Sequence, residues 1–239
     1  MDHVIITYTN HRGESEGAPV TKTAPLSPAE ELTNTGYASC ARQWASDHSS
    51  PGYWADEMDT FHRLLPAGSI LEIGAGGGRD AKELTARGYN YLGTDISPEM
   101  LTVAREELPT VEFQHRSVYD LETIGREFDG FWASAVLLHI PRQRIDVALR
   151  QIRTVVRPGG IGFISLKDGA GETVENEDVH GVQLRRLFVY WTKADFATVL
   201  DRNGYDLVRY SYHPRSPRTR WHSFIVQSRA AQRRSAGLF

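Results

Sequence analysis

The sequence predicts an α/β protein: a doubly wound, mostly parallel sheet of seven strands, with helices on both faces and an antiparallel strand at one edge. Three observations carry this. Short apolar runs alternate with amphipathic segments from residue 69 to residue 167, the pattern of strands buried on both faces and crossed by helices. The first of these runs ends in a cluster of glycines that opens a helical segment. The last two runs are joined by about eight residues, roughly 213–220, which is too short for a helical crossover and predicts an antiparallel pair.

The elements follow in order. "SILEIGA" is a short apolar strand, and "DAKELTARG" a helix stopped by Gly88, a residue free to take the left-handed conformation past a helix end. "YNYLGTDI" is a strand. "SPEMLTVAREEL" is a helix with Ser97 as N-cap and Pro98 at its first position, where the missing N–H costs nothing. "VEFQHRSV" and "FDGFWASAVLL" are strands. A helix runs from Pro141 to the Pro158-Gly159-Gly160 stop, and "IGFISLK" is the fifth strand. "TKADFATVLDRNG" is a helix with Thr192 as N-cap, followed by the strands "YDLVRYSYH" and "WHSFIVQSR".

Composition bounds the rest. The chain has 239 residues, 40% of them apolar and 24% charged, ordinary for one globular domain with extensions. A single cysteine, Cys40, excludes a disulfide within the chain and fits a reducing compartment, so a cytoplasmic location is expected. No apolar run reaches the roughly 18–20 residues of a membrane span, and the N-terminus makes a poor signal peptide. No histidine or cysteine spacing suggests a metal site. The net charge of −3 conceals an asymmetry: residues 202–239 hold eight arginines against Asp206, so that end carries +7 and the other 201 residues −10. A solvated basic surface is the plainer reading, with RNA as a possible anionic partner. Residues 1–36 read as an N-terminal arm, partly irregular because "HRGESEGAPVTKTAPLSPAEELTNTG" lacks a periodic apolar face. Residues 37–229 form the domain and 230–239 a basic tail. The short "VIITYT" suits an edge strand or exchanged arm, so a monomer or a homodimer is expected.

The glycine cluster "GAGGGRD" sits where doubly wound sheets bind ligands, between a strand end and a helix start. Glycine permits close approach and positive φ, and the helix start offers unpaired N–H groups. A nicotinamide site asks for G-x-G-x-x-G, but Gly74, Gly76, Gly77 and Gly78 are followed by Arg79 at the third required position. Asp95 ends the next strand, 19 residues after Gly76, and an acid there can hold ribose hydroxyls in either of two cofactor classes.

Four stretches in order, "LEIGAGGGRD", "YLGTDISPEML", "FDGFWASAVLLHIPR" and "VVRPGGIGFISLK", resemble the successive motifs of class I S-adenosylmethionine-dependent methyltransferases. The resemblance spans roughly residues 37–228 and implies the Rossmann-like fold of that family. "SLKDG" with "RRLFVYWTKADFATVLDRNGY" further resembles a bacterial branch acting on small molecules.

The resemblance implies roles by position. Gly74, Gly76 and Gly78 would wrap the methionine part of S-adenosyl-L-methionine, and Glu72 would help orient its amino group. Asp95 would bind the ribose hydroxyls, and Ile96 would pack on adenine. Ser117 stands where the family usually has an acid facing the adenine amine. Tyr37 matches a tyrosine that closes over the cofactor. The product would be S-adenosyl-L-homocysteine, and no metal is implied.

For the chemistry itself, His139 lies just past the fourth strand at the ligand-facing end, where a neutral imidazole could serve as general base or simply hydrogen-bond the backbone and shape the loop. Lys167 ends the fifth strand, and Arg185, Arg186 and Arg220 suit the same mouth. They point to an acceptor carrying a carboxylate or phosphate. The expected activity is methyl transfer to oxygen or nitrogen of a small molecule or peptide. The alternatives are a non-catalytic cofactor- or partner-binding protein on the same fold, and an NAD-dependent oxidoreductase.

Overall fold

The computed structural model describes residues 25–216 and 219–230. The expected "VIITYT" arm and nearly all of the basic tail lie outside them.

Three helices come first: α1 (Pro28–Ser39), α2 (Ala41–Asp47) and α3 (Ala55–Leu64). The alternating core follows as β1 (Ser69–Ile73), α4 (Arg79–Ala86), β2 (Asn90–Asp95), α5 (Pro98–Glu107), β3 (Phe113–His115), β4 (Phe128–Ala133), α6 (Ile145–Val155) and β5 (Val156–Lys167). Then come β6 (Glu172–Val179), β7 (Val182–Val189), α7 (Lys193–Arg202), β8 (Tyr205–Pro214) and β9 (Arg220–Ser228). The sheet has seven strands in the order β3-β2-β1-β4-β5-β9-β8. Strands β1 to β5 are parallel. At the far edge β9 pairs antiparallel with both β5 and β8, as the short connection between the last two strands requires. The order reverses between β1 and β4, which places a crevice at their carboxyl ends.

The central strands bury both faces. Ile70, Leu71, Phe131, Trp132 and Phe163 are completely inaccessible, and the rings of Trp132 and Phe163 stack at 3.8 Å. This is why these segments read as continuous apolar runs rather than alternating ones.

The sequence reading places residues 28–36 in an irregular arm, but they form most of α1. The Ser27 Oγ accepts from Glu30 N at 3.4 Å, and Glu30 Oε2 accepts from Ser27 N at 2.8 Å, a complete capping box with Pro28 at the first helical position. Glu30 is also buried, and its carboxylate accepts from the Tyr119 hydroxyl and the Arg144 guanidinium. Glu30→Ala leaves that guanidinium and hydroxyl unpaired in a buried setting, at a cost of about 3 kcal/mol. For a domain of this size the melting temperature should fall by roughly 6–12 °C. A melting curve that does not move would show that α1 is not anchored through this carboxylate.

The second difference is β6 and β7, a hairpin outside the main sheet. Its two-residue turn has His180 at φ 51° and Gly181 at φ 86°, the double positive φ of a type I′ turn. The hairpin leaves the sheet at Asp168 and returns at Trp191, and these two residues are bridged to each other. It packs against α1, with Leu187 N donating to Thr33 Oγ1 at 2.8 Å.

Candidate functional site

A cavity of about 1000 Å³ opens at the carboxyl ends of the central strands. Its floor is the turn after β1, the end of β2, the segment after β3 and the turn after β4. Tyr37 of α1, Trp44 and Ala45 of α2, and Arg186 and Phe188 of β7 close it from above.

The glycine turn has the conformation its sequence demands. Gly74, Gly76 and Gly78 have φ of 72°, 55° and 86°. Gly74 N and Ala75 N both donate to Thr94 O, at 2.8 and 2.9 Å, which ties the turn to β2. A Cβ on Gly74 would lie 2.6 Å from Val136 Cγ2. One on Gly77 would lie 2.5 Å from the Ala45 Cβ, so α2 rests directly on the turn. Gly74, Gly76 and Gly77 line the cavity. Gly78 does not; it is the left-handed residue that starts α4.

Asp95 reaches the cavity from the end of β2. Its carboxylate accepts from Gly76 N and Ser97 N, each at 2.8 Å. Burial pushes its pKa up, and these backbone bonds oppose the rise. Glu72 is 2% exposed and accepts from the Tyr91 hydroxyl. Burial first, and the nearby Asp80 second, hold its carboxyl well above the ordinary range. Arg79 pairs with Asp80 at 2.6 Å rather than with Glu72. Asp80 in turn accepts from Trp132 Nε1 at 2.9 Å, a floor contact that its position in the sequence did not signal. Ile96 and Ser117 line the same half of the cavity, and Ser117 Oγ accepts from Tyr119 N at 3.2 Å.

On the opposite side a hydrogen-bond chain crosses the cavity wall. Arg186 donates to the Tyr37 hydroxyl at 2.9 Å, and that hydroxyl lies 2.9 Å from His139 Nε2. The other ring nitrogen, Nδ1, lies 2.5 Å from Leu187 O. A carbonyl can only accept, so Nδ1 carries the proton and Nε2 accepts from Tyr37. Burial, with the Arg186 and Lys167 charges adding to it, pulls the imidazole pKa down to about 3. Burial also raises the Tyr37 hydroxyl against the pull of Arg186.

The basic residues separate by face. Arg186 points inward, 4% exposed, paired with Glu177 and set against the rings of Trp44 and Phe188. Strand alternation therefore turns Arg185 outward; it is exposed and lines no part of the cavity. Arg220 is likewise off the cavity and pairs with Asp168 at 3.2 Å. Lys167 lines the cavity, with Nζ 3.7 Å from the centre of the Phe188 ring, and burial lowers its pKa. Tyr53 and Trp54 line the same side. Phe188 and Trp221 complete it, and neither was singled out from the sequence. The i, i+2 relation of Phe188 to Arg186 is the signal that would have found the former. Among the described residues, no cluster of three or more histidine, cysteine or acidic side chains could hold a metal, and no helix is long and apolar enough to cross a membrane.

Residues 70–160 match the family model described as "Methyltransferase domain". The chain is 33% identical to the ubiquinone biosynthesis O-methyltransferase of Xanthomonas axonopodis pv. citri (strain 306) over 110 residues, covering 43% of this chain and 45% of that one. The chain thus spans somewhat under half the length of the curated relatives it matches. The solved structure of 1,6-didemethyltoxoflavin-N1-methyltransferase from Burkholderia thailandensis, with bound 1,6-didemethyltoxoflavin and S-adenosylhomocysteine, superposes with a TM-score of 0.66 at 21% identity. It covers 87% of this chain and 93% of that one. The CcbJ methyltransferase of Streptomyces caelestis gives 0.64 at 19% identity, over 83% and 99% of the two chains. At these identities the structural likeness is one of fold. The matched segment runs from β1 through the glycine turn to the start of β5, and the chain shares the fold of these solved methyltransferases.

Proposed function

We propose that the protein transfers a methyl group from S-adenosyl-L-methionine to an oxygen or nitrogen of a small molecule or peptide. The observation that carries this is the continuity of the cavity. One space of about 1000 Å³, at the upper end of ligand pockets, joins the glycine turn and Asp95 to a second half lined by aromatic rings and a lysine. That is room for a cofactor and an acceptor together.

The residues present fit the cofactor. Gly74, Gly76 and Gly77 bring bare backbone to the cavity wall, Asp95 presents a carboxylate at a strand end, and Glu72 stands buried behind the turn. Glu72, Gly74 and Gly76 would hold the amino-acid end, Asp95 the ribose hydroxyls, Ile96 the adenine face and Ser117 its polar edge. When bound, the cofactor supplies an electrophilic methyl group on a cationic sulfur. The protein's own task is then positioning and exclusion of water, which can lower a barrier by roughly 7–11 kcal/mol.

His139 serves that task as a positioning residue. Both ring nitrogens are engaged, and a base with a pKa of about 3 is far from the neutral value that proton abstraction favours. It fixes the Tyr37 hydroxyl, and Tyr37 with Arg186 closes the cavity. The Xanthomonas relative's name favours oxygen as the acceptor atom and the toxoflavin enzyme's name nitrogen; an acceptor bearing a carboxylate suits Lys167.

Calorimetric titration of S-adenosylhomocysteine tests the reading. Micromolar binding is expected, with none for NAD. In Asp95→Ala the loss of charge-assisted hydrogen bonds should weaken binding by about 10–100-fold. Binding of NAD, or of neither ligand, would defeat the proposal. Binding without methyl transfer to any acceptor extract, read by mass, would favour a cofactor-binding protein without catalysis.

A further inference from the structure

Building on the methyl-transfer reading, we propose that Lys167 and Trp221 together hold one anionic oxygen on a flat aromatic acceptor. The acceptor class is therefore an aromatic carboxylate or a phenol ionised in the site.

Lys167 and Trp221 are direct partners in the antiparallel β5–β9 register, so their side chains leave the sheet on the same face. Both line the cavity. Each brings a donor that the protein does not use. The Lys167 ammonium has no hydrogen bond or ion pair among the described residues; Glu175, which acts on it at longer range, accepts from the Tyr190 hydroxyl. Trp221 is 9% exposed and its Nε1 is buried without a partner. A buried unpaired N–H is costly, and a ligand oxygen would relieve it. Two donors with no acceptor between them select an acceptor atom, and the ammonium selects a negative one.

The charge count limits that ligand to a monoanion. Of the other cations nearby, Arg186 is matched by Glu177 and Arg220 by Asp168, and Arg215, which lies over the Tyr53 and Trp54 rings and donates to Tyr53 O, lines no part of the cavity. One uncompensated ammonium suits a carboxylate or phenolate, not a doubly charged phosphate. The remaining walls suit a ring. Phe188 lies under the Lys167 ammonium, Trp54 stands edge-on to Trp221 at 5.9 Å, and Tyr53 stands edge-on to Trp54 at 5.0 Å. Ring faces and edges at such spacings accept another aromatic ring favourably.

The test uses the full chain, with and without S-adenosylhomocysteine. Benzoate, 4-nitrophenol, phenyl phosphate and benzyl alcohol are titrated by calorimetry. Ionisation of 4-nitrophenol is also followed through its yellow anion. Benzoate or 4-nitrophenolate should bind at least about 10-fold tighter than neutral benzyl alcohol, the scale of a charge-assisted hydrogen bond. Lys167→Met should erase that preference, and Trp221→Phe should reduce it by about 3–10-fold. Affinity for S-adenosylhomocysteine should stay the same in both variants, which also shows that they fold. Benzoate alone would identify a carboxylate, and a yellow band persisting to lower pH would identify a phenolate. Four results would overturn the proposal: equal binding of benzyl alcohol, tighter binding of phenyl phosphate, no effect of Lys167→Met, or no ring binding while S-adenosylhomocysteine binds. Loss of S-adenosylhomocysteine binding in the wild type would instead remove the methyl-transfer reading, and the ring preference is measured without it.

Discussion

Gly74→Ala should lower S-adenosylhomocysteine affinity by at least about 100-fold. Two effects combine. The residue has φ 72°, a conformation that costs any residue with a Cβ roughly 1–2 kcal/mol. The added carbon would also stand 2.6 Å from Val136 Cγ2, and displacing that side chain costs a further 1–3 kcal/mol or so. Val136 belongs to the turn after β4 and lines the cavity, so the strain is relieved into the ligand's space. Gly125→Ala provides the control. Its φ is 69° with nothing within 4 Å of an added Cβ, so it should show the conformational cost alone, about 1–2 kcal/mol in unfolding, and leave ligand affinity unchanged. Calorimetry and chemical denaturation on both variants separate the two effects. Wild-type affinity in Gly74→Ala would remove the glycine turn from the binding site.

The second large effect is on the pH dependence of stability. His139 has a folded pKa of about 3 against 6.5 unfolded. Between those values the unfolded chain binds the extra proton and the folded chain does not, so folding stability falls as pH falls. By pH 4 the loss is about 3 kcal/mol. His139→Gln keeps an amide to bridge Tyr37 and Leu187 O but carries no proton to titrate. The variant should match or trail the wild type at pH 7 and overtake it near pH 4 in urea unfolding. Equal slopes for both proteins from pH 7 to pH 4 would mean that His139 titrates normally in the fold, and the general-base role would then stand.

Much of this was legible from the residues. Ser97-Pro98 and Thr192 marked helix starts because capping chemistry is local, and the central strands were visible because burial on both faces leaves unbroken apolar runs. The same local signal stood at Ser27-Pro28-Ala29-Glu30, but the glycine- and proline-rich residues before it hid it. The β6–β7 hairpin was missed for a different reason. Most of β6 is exposed, so it lacks an apolar alternation, and in β7 the inward position is held by Arg186, a charge where a hydrophobic residue would be expected. Only His180-Gly181 announced the turn. Asp95 was visible as the acid that ends a strand, whereas Glu72 and Ile96 were pointed to by the family resemblance; all three line the cavity. Arg185 and Arg186 could not be told apart without the register, because a one-residue shift reverses the face. Trp221 needed β9 to be placed beside β5, a contact between distant parts of the chain.

The bridge between Asp168 and Trp191 gives the hairpin a particular evolutionary standing. Its two ends meet at the rim of the sheet, so the stretch between them is an insertion that the sheet does not have to span. Such a segment can be lengthened, shortened or exchanged at little entropic cost to the scaffold. The strand ends that carry Asp95 and the glycine turn belong to the scaffold, while Phe188 and Arg186 belong to the insertion. On the proposed reading, exchanging this one segment would reshape the wall formed by Phe188 and Arg186 and leave Lys167, Trp221 and the glycine turn in place.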